Sequence, residues 1–176
     1  MKVSALEEYG LRCMVYLAKR KPRGAAALTE ISENEGITIA YAGKLLMILR
    51  QSGLVKAIRG RNGGYVLTNP PEETTLKDIF EALGEPFGSP SHCVRYETED
   101  GSCVHTDDCS IKGMWKAFGF VIDNITRNLT LADLVNNNIA IDNIFSGADL
   151  SNEVFGNQQD GGKAEIESNN LIYKGK

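Results

Sequence analysis

The stretch "ITIAYAGKLLMILRQSGLVKAIRGRNGGYVLT", residues 37–68, decides how this chain of 176 residues folds. Apolar residues in its first half recur three or four positions apart, which is the spacing of one face of an α-helix. These residues are Ala42, Leu45, Leu46 and Leu49. Thr38 is suited to cap the start of this helix, and Gly53 supplies a left-handed residue to end it.

The second half of the stretch has the pattern of a β-hairpin. Two runs of β-forming residues, at 54–58 and 65–68, flank a glycine-rich turn that includes Asn62 and Gly63. Arg59 and Arg61 lie at the predicted tip of the hairpin, where they cannot serve a hydrophobic core. A hairpin in this position, after two helices, is a wing.

Those two helices are predicted from the residues before and within the stretch. The earlier one is expected to be capped by Thr29, to run to about Asn34 and to end at Gly36. Two helices joined by a tight glycine-containing turn form a helix-turn-helix. A further amphipathic helix is predicted over about residues 4–20. The predicted fold class is therefore mostly α with a small β-hairpin wing.

The charge distribution indicates what this half of the chain binds. Residues 1–70 hold 11 Lys or Arg and 5 Asp or Glu, whereas residues 71–176 hold 8 and 18. A basic amino-terminal half next to an acidic remainder favours contact with a polyanion. Because a recognition helix places its first residues over base edges, we predict double-stranded DNA as the partner.

The predicted DNA contacts lie at the start of the second helix and on the wing. Ala40 is suited to apolar contact with a thymine methyl group, Tyr41 to a phosphate, and Lys44 to a phosphate or guanine. Arg59 suits a narrow minor groove. The full set is Thr38, Ala40, Tyr41, Lys44, Arg59 and Arg61. Gly43 has no explanation in the sequence beyond close approach of its backbone to the duplex.

The residues after Cys109 predict a long helix with a narrow apolar seam. Apolar side chains there are spaced alternately four and three residues apart, a heptad-like pattern that usually packs against a partner helix. We predict a homodimer formed by this helix; packing on its own domain is the alternative. The predicted interface residues are Ile111, Trp115, Phe118, Ile122 and Ile125.

Three cysteines occur between residues 92 and 109, in a polar stretch without apolar periodicity. Cys93, Cys103 and Cys109 can converge on one metal centre, because thiolates are the preferred ligands of iron–sulfur clusters and of zinc. The short cysteine knuckle of zinc sites is missing, and a disulfide leaves one thiol over. Cys13 lies on an apolar helix face and is expected to be buried.

These patterns divide the chain into regions of different expected roles. Residues 1–70 form the winged helix-turn-helix, and 71–90 a linker and a connecting helix, with Thr75 and Asp78 as its capping box. Residues 91–109 form the cysteine loop, and 110–138 the dimerisation helix and a short terminal helix opened by Thr130. Residues 146–176, rich in Gly, Asn, Gln and Asp, are expected to form a flexible tail.

Other classes of protein are disfavoured by what the sequence does not contain. No apolar run is long enough to span a membrane, and the first residues lack the apolar core of a signal peptide, so a cytoplasmic location is expected. No nucleotide-binding loop, catalytic dyad or C-x-x-C motif accompanies the cysteines, so the chain is predicted not to be an enzyme.

The motifs together resemble the Rrf-two family of winged-helix transcriptional regulators. They are "EYGLRCMVYLA", "LTEISENEGITIAYAGKLLMILRQSGLV", "IRGRNGGYVL", the cysteine loop, "MWKAF" and "LTLADLVN", which span about residues 1–138. The resemblance implies a homodimer that binds a palindromic operator, more often as a repressor. It also implies an iron–sulfur cluster, 4Fe–4S or 2Fe–2S, held by the three cysteines and responding to redox, nitric oxide or iron status.

The resemblance also suggests the fourth cluster ligand. In one branch of the family a histidine three residues after the last cysteine fills this role, but here that position is Lys112, which is no ligand while protonated. In another branch a carboxylate before a tyrosine reaches across from the partner subunit, and the matching residue is Glu8. His92 and His105 are the other candidates. A zinc-bound or cluster-free thiol switch on the same fold is the alternative function.

Overall fold

The computed structural model describes residues 3–20, 24–84, 109, 111–137 and 139. Cys93, Cys103, His92, His105 and the predicted tail at 146–176 lie outside these residues. None of the helices in the described ranges is long and apolar enough to cross a membrane.

The described residues form six helices and one antiparallel hairpin, which confirms the predicted fold class. In chain order these are α1 (Ala5–Arg20), α2 (Leu28–Glu35), α3 (Ile39–Gln51), β1 (Val55–Ile58), β2 (Gly64–Leu67), a 3-10 turn (Pro71–Glu73), α4 (Leu76–Leu83), α5 (Lys112–Asn128) and α6 (Leu131–Val135). The hairpin register pairs Val55 with Leu67 and Ile58 with Gly64. The arrangement is a winged helix-turn-helix followed by a long helix.

Local capping signals fix most helix ends. The Thr38 hydroxyl accepts a hydrogen bond from the Tyr41 N–H at 3.2 Å, and Gly36 ends α2 in the left-handed conformation. Both later capping boxes are formed as predicted, by Thr75 with Asp78 and by Thr130 with Asp133. These caps satisfy amide groups that have no partner within the helix.

The predicted start of α2 was wrong. Thr29 does not cap this helix, which begins at Leu28 after Ala27, and no side chain caps it there. Ala26 exchanges two backbone hydrogen bonds with Tyr65 on the wing, with N···O distances of 3.0 and 2.8 Å. This long-range bridge holds the chain immediately before the helix, so the helix starts two residues earlier than a cap at Thr29 allows.

One hydrophobic core joins the helix-turn-helix to the carboxyl-terminal elements. The predicted apolar stripe of α3 is fully buried, and α1, α2, α4 and α6 each contribute further buried side chains. The largest fully buried ones are Met14, Ile31, Leu45, Leu46, Leu49, Ile79 and Leu131. Helices α4 and α6 both pack on α1. The winged helix-turn-helix and the residues on either side of the cysteine stretch therefore belong to the same packed unit.

Helix α5 is attached to this unit mainly through α4. Leu76 N–H donates to the Leu129 carbonyl and Leu131 N–H to the Thr74 carbonyl, both at 2.8 Å. Lys77 Nζ on α4 donates to Asp123 Oδ1 on α5 at 2.5 Å. Burial acts to raise the pKa of Asp123, but hydrogen bonds from Lys77 and Arg127 outweigh it and hold that pKa below its ordinary value.

The apolar seam of α5 is only partly covered. No residue of this helix is buried; Phe118 is 49% exposed, and Ile111, which precedes the helix, is 57% exposed. Ile122 is half-buried, and Ile125 packs against the edge of the core. Trp115 and Phe118 form an edge-to-face ring pair with centroids 6.1 Å apart. The amino-terminal part of the seam, at Ile111 and Phe118, is therefore exposed, whereas its other end packs on the core.

Candidate nucleic-acid interface and cysteine site

Helix α3 and the wing carry charge of one sign. Residues 36–71 include five Lys or Arg and no Asp or Glu. All five are exposed: Lys44, Arg50, Lys56, Arg59 and Arg61. A surface with cations and no interspersed acids attracts a polyanion over its whole extent, which suits the phosphate backbone of DNA.

The start of α3 exposes two short side chains and one lysine to solvent. Thr38, Ala40 and Lys44 are exposed. The Thr38 oxygen accepts the Tyr41 N–H, yet its own O–H is still able to donate to a phosphate. Within the first two turns of α3, Lys44 is the only charged residue. This end of the helix therefore offers few polar groups for reading bases.

Tyr41 is held by helix α1. It is half-buried, and its ring meets the Tyr9 ring edge-on, with centroids 6.0 Å apart. The guanidinium of Arg12 lies over the Tyr9 ring, 5.2 Å from its centroid, and Arg12 Nε donates to Glu35 Oε2 at 2.8 Å. Helix α1 thus contacts both helices of the helix-turn-helix next to the predicted DNA-contacting end of α3.

The wing tip is a five-residue loop whose shape depends on glycine. Gly63 N–H donates to the Gly60 carbonyl at 2.9 Å, and Arg59 and Arg61 are exposed beside this turn. A Cβ on Gly64 would lie 2.1 Å from the Ala26 carbonyl oxygen, so no other residue fits there. The backbone therefore holds both arginines outward without help from side-chain packing.

Packing does not explain Gly43. A Cβ added at this position would meet only a Leu28 methyl, at an ordinary contact distance of 3.7 Å. An alanine would fit and would favour the helix by about 1 kcal/mol. Packing within the described residues therefore gives no reason for a glycine here. Close approach of the Gly43 backbone to the duplex stays a prediction.

Ile39 was missed in the sequence analysis. It is the first residue of α3 and is 51% exposed, which makes it a large apolar side chain at the exposed start of this helix. The signal was available, because Ile39 lies outside the buried stripe formed by Ala42, Leu45 and Leu46. An apolar residue next to a helix cap is easily assigned to the core. Its position around the helix relative to the buried stripe shows whether that assignment is correct.

Cys109 is the one predicted cluster ligand among the cysteines that the structure describes. It is half-buried with a free thiol, and its carbonyl accepts the Lys112 N–H at the start of α5. Cys109 therefore lies immediately before the first turn of α5. Its sulfur is of the ligand type that iron–sulfur clusters prefer.

Glu8 is placed differently from its neighbour Glu7. Glu7 Oε2 accepts hydrogen bonds from Ser4 N and Ser4 Oγ, both at 2.7 Å, and so caps α1. Glu8 is exposed, and within the described ranges its carboxylate forms no hydrogen bond or ion pair. It is therefore available for a ligand or a partner subunit, whereas Glu7 is already used by its own helix.

Cys13 is fully buried, as expected, and packs in the core beside Met14 and Leu17. Burial raises the pKa of its thiol to about 12, so the side chain is neutral in the folded protein at physiological pH. Among the described residues, no three His, Cys, Asp or Glu side chains form a possible metal site, but Cys93 and Cys103 are not among them.

Comparisons with known proteins agree with this arrangement. The chain is 31% identical to the HTH-type transcriptional regulator IscR of Serratia proteamaculans (strain 568) over 137 residues, which cover 78% of this chain and 80% of the relative. The solved structure of T. potens IscR matches with a TM-score of 0.63 and 28% identity, covering 78% of this chain and 88% of that one.

The structure of CymR (YrzC), the global cysteine regulator of B. subtilis, matches with a TM-score of 0.64 and 29% identity, covering 78% of this chain and 98% of that one. The family model named Rrf2, described as an iron-dependent transcriptional regulator, matches residues 3–137. The predictions of the family and of a regulator rather than an enzyme are therefore confirmed. This chain belongs to the Rrf2 family of transcriptional regulators.

Proposed function

We propose that this regulator is a homodimer that binds a palindromic operator and whose DNA binding depends on an iron–sulfur cluster, most simply as a repressor. The observation that carries the proposal is the position of Cys109. It lies three residues before α5, and its carbonyl accepts the N–H of Lys112, the first residue of that helix, so ligation at its thiol would act close to the helix to which we assign the dimer contact.

The DNA-binding part of the proposal rests on the acid-free surface of residues 36–71. We assign Ala40 and Lys44 to the major groove, and Thr38 and Tyr41 to the adjacent phosphates. Arg59 and Arg61 on the wing are assigned to the minor groove, because its negative potential attracts arginine where the groove is narrow.

The dimer is supported by the uncovered seam of α5. Exposed apolar residues scattered singly need no explanation, but Ile111 and Phe118 continue into Trp115 and Ile122 along one helix. If this strip packs against the same strip of a second subunit, both strips are buried and the two winged helix-turn-helix regions are related by two-fold symmetry. A two-fold symmetric reader requires a two-fold symmetric site, which is the reason for a palindrome.

The proposed ligands are Cys93, Cys103 and Cys109 of one subunit with Glu8 of the other. A bound cluster would supply iron that is held weakly on its oxygen-ligated side and is therefore open to nitric oxide, oxygen or iron limitation. Cys109 ties the cysteine stretch to α5, and Glu8 ties α1 to the same site. Release of these side chains frees both helices, and α1 contacts Tyr41 through Tyr9. Loss of the cluster ligands would in this way change the position of the DNA-contacting residue Tyr41.

The test is anaerobic purification followed by an absorption spectrum and an assay of iron and sulfide. We expect a visible chromophore with both elements bound, and its loss when any one of Cys93, Cys103 or Cys109 is replaced by serine. Cys13→Ser is the matched control and should keep the chromophore, since that thiol is enclosed in the core. Colourless wild-type protein without iron would contradict the cluster.

A thiol switch without a cluster is the second candidate. It is favoured by the similarity to CymR, which has been solved in an oxidized form from Staphylococcus aureus. The same preparation separates the two functions, because the thiol switch predicts zinc or no metal even in protein from anaerobic cells. DNA binding that changes with thiol oxidation in such metal-free protein would establish the second function.

A further inference from the structure

The N-terminal end of the recognition helix is unusually apolar for a surface that faces DNA. Ile39 is 51% exposed at the first helical position, and the next residue, Ala40, is also exposed. Gly43, one turn further, has no side chain. The surrounding exposed charges on residues 36–71 are all positive, so the apolar patch formed by Ile39 and Ala40 lies inside a surface suited to a polyanion.

The major groove of DNA contains one apolar group that matches such a patch. Each A·T pair presents the 5-methyl group of thymine, whereas the other major-groove base edges present only hydrogen-bond donors and acceptors. Water leaves both surfaces when a branched alkyl side chain contacts that methyl group, so the contact is favourable and selective. The neighbouring Thr38 hydroxyl, which accepts the cap hydrogen bond and is assigned to a phosphate, does not supply an apolar contact of this kind.

We propose that Ile39 is a specificity-determining residue, which contacts a thymine methyl group in each half of the operator together with Ala40. This inference rests on the proposed function, in that α3 enters the major groove. It goes beyond the contacts expected from the sequence by assigning the main base discrimination to an apolar side chain. Operator selectivity at this position then depends on thymine methyls more than on guanine contacts by arginine, which this end of α3 lacks.

The exposed Met47 offers an internal comparison on the same helix. It is 47% exposed, close to the value for Ile39, but it lies eight residues further along, toward the carboxyl-terminal half of α3. Recognition helices contact bases with their first residues. Met47 therefore provides an apolar surface of similar exposure outside the proposed methyl contact.

The test begins with duplexes selected by the wild-type protein from a random-sequence pool under anaerobic conditions. Each thymine of the selected operator is then replaced by deoxyuridine, which removes only the 5-methyl group. Replacing the contacted thymine in a single half-site should weaken wild-type binding by about fourfold, and replacing it in both half-sites by about fifteenfold, as expected for losing one buried methyl group each. Ile39→Ala should bind the thymine operator more weakly and show no further loss at that position.

Met47→Ala should lose as much affinity as wild type when deoxyuridine replaces the contacted thymine. Ile39→Thr, which keeps the branched shape, is a second variant to use if Ile39→Ala does not fold. Circular dichroism checks that each variant is folded. An Ile39 variant with the same deoxyuridine losses as wild type overturns the proposal, and so does wild-type protein that is indifferent to every substitution. In both results DNA binding itself still stands. Failure to select any duplex instead contradicts the proposed function.

Discussion

At the scale of single residues, the wing arginines show how backbone geometry prepares a binding group. Arg59 and Arg61 flank Gly60, which has a φ of +115°, and the turn is closed by the Gly60–Gly63 hydrogen bond. No side-chain packing is needed to present them. A substitution there should therefore alter binding without altering the fold.

Replacing Arg59 by alanine should weaken operator binding and lower its dependence on salt. A wing arginine in the minor groove displaces condensed counterions, so its loss should reduce the slope of log K against log[salt] by about one. Fluorescence anisotropy at several salt concentrations measures both quantities. Lys116→Ala, which removes an exposed cation on α5, is the control. Equal salt slopes for Arg59→Ala and wild type would mean that Arg59 on the wing does not contact DNA.

Cys13 gives a residue-scale prediction about stability. Its pKa is raised by burial to about 12 in the folded protein and is about 8.5 in an unfolded chain. Between these values the unfolded state loses its thiol proton first, so the free energy of unfolding falls as pH rises, by up to roughly 1.4 kcal/mol per pH unit from this group. Below pH 8.5 its contribution is constant.

Urea denaturation of wild type and Cys13→Ala at pH 8 to 11 isolates this effect, because other titrating groups act on both proteins. The stability advantage of wild type should shrink steadily above pH 9. An advantage that stays constant up to pH 11 would mean that the thiol ionises with similar ease in the folded and unfolded states, which its complete burial does not allow.

At the scale of elements, α5 is the one helix in the described part of the chain that has no buried residue. Its attachments are a lysine–aspartate pair to α4 and backbone hydrogen bonds at its carboxyl end. The seam from Ile111 to Ile122 extends beyond them. A second copy of α5 is the partner that the heptad-like spacing suggests.

Replacing Ile122 by aspartate should convert the dimer to monomers, because it places an unpaired charge in a proposed apolar interface. Sedimentation velocity measures the result. Asn124→Asp adds the same charge about 200° around α5 from Ile122 and should remain dimeric. If Ile122→Asp sediments as a dimer, another surface holds the subunits together.

The elements also show which features a sequence can predict. Both capping boxes and the α3 stripe were predictable because each depends on residues a few positions apart. The start of α2 was not, since it depends on the bridge from Ala26 to Tyr65, about forty positions away. The Tyr9–Tyr41 contact likewise depends on how α1 and α3 meet, whereas the exposure of Ile39 could be predicted from its helical phase. Patterns in sequence separate helix faces, but they do not reveal which neighbour covers each face.

At the scale of the whole molecule, the proposed site is shared between subunits. If Glu8 reaches across the dimer, a subunit with Glu8→Ala and one with Cys103→Ser together contain one complete set of ligands. Mixed heterodimers should therefore regain a chromophore with the wild-type lifetime at one site per dimer, measured by anaerobic absorption. The Glu8→Ala homodimer should form a cluster that is lost faster.

Glu7→Ala serves as the control for this mixing experiment. It removes the hydrogen bonds that cap α1 in the same helical turn, so any loss of cluster caused by a weaker α1 should appear there too. Failure of rescue by folded, dimeric heterodimers would place the fourth ligand within one subunit, with His92 or His105 next to be replaced.

The central claim is that the cluster controls DNA binding, and one measurement tests it most directly. The affinity of a single anaerobic preparation for its selected operator is compared before and after the iron is removed by chelation, at one salt concentration. Because ligation at Cys109 and Glu8 acts on both α5 and α1, we predict at least a tenfold change in Kd, which corresponds to about 1.4 kcal/mol. Equal affinities for the cluster-containing and cluster-free dimers would contradict the account.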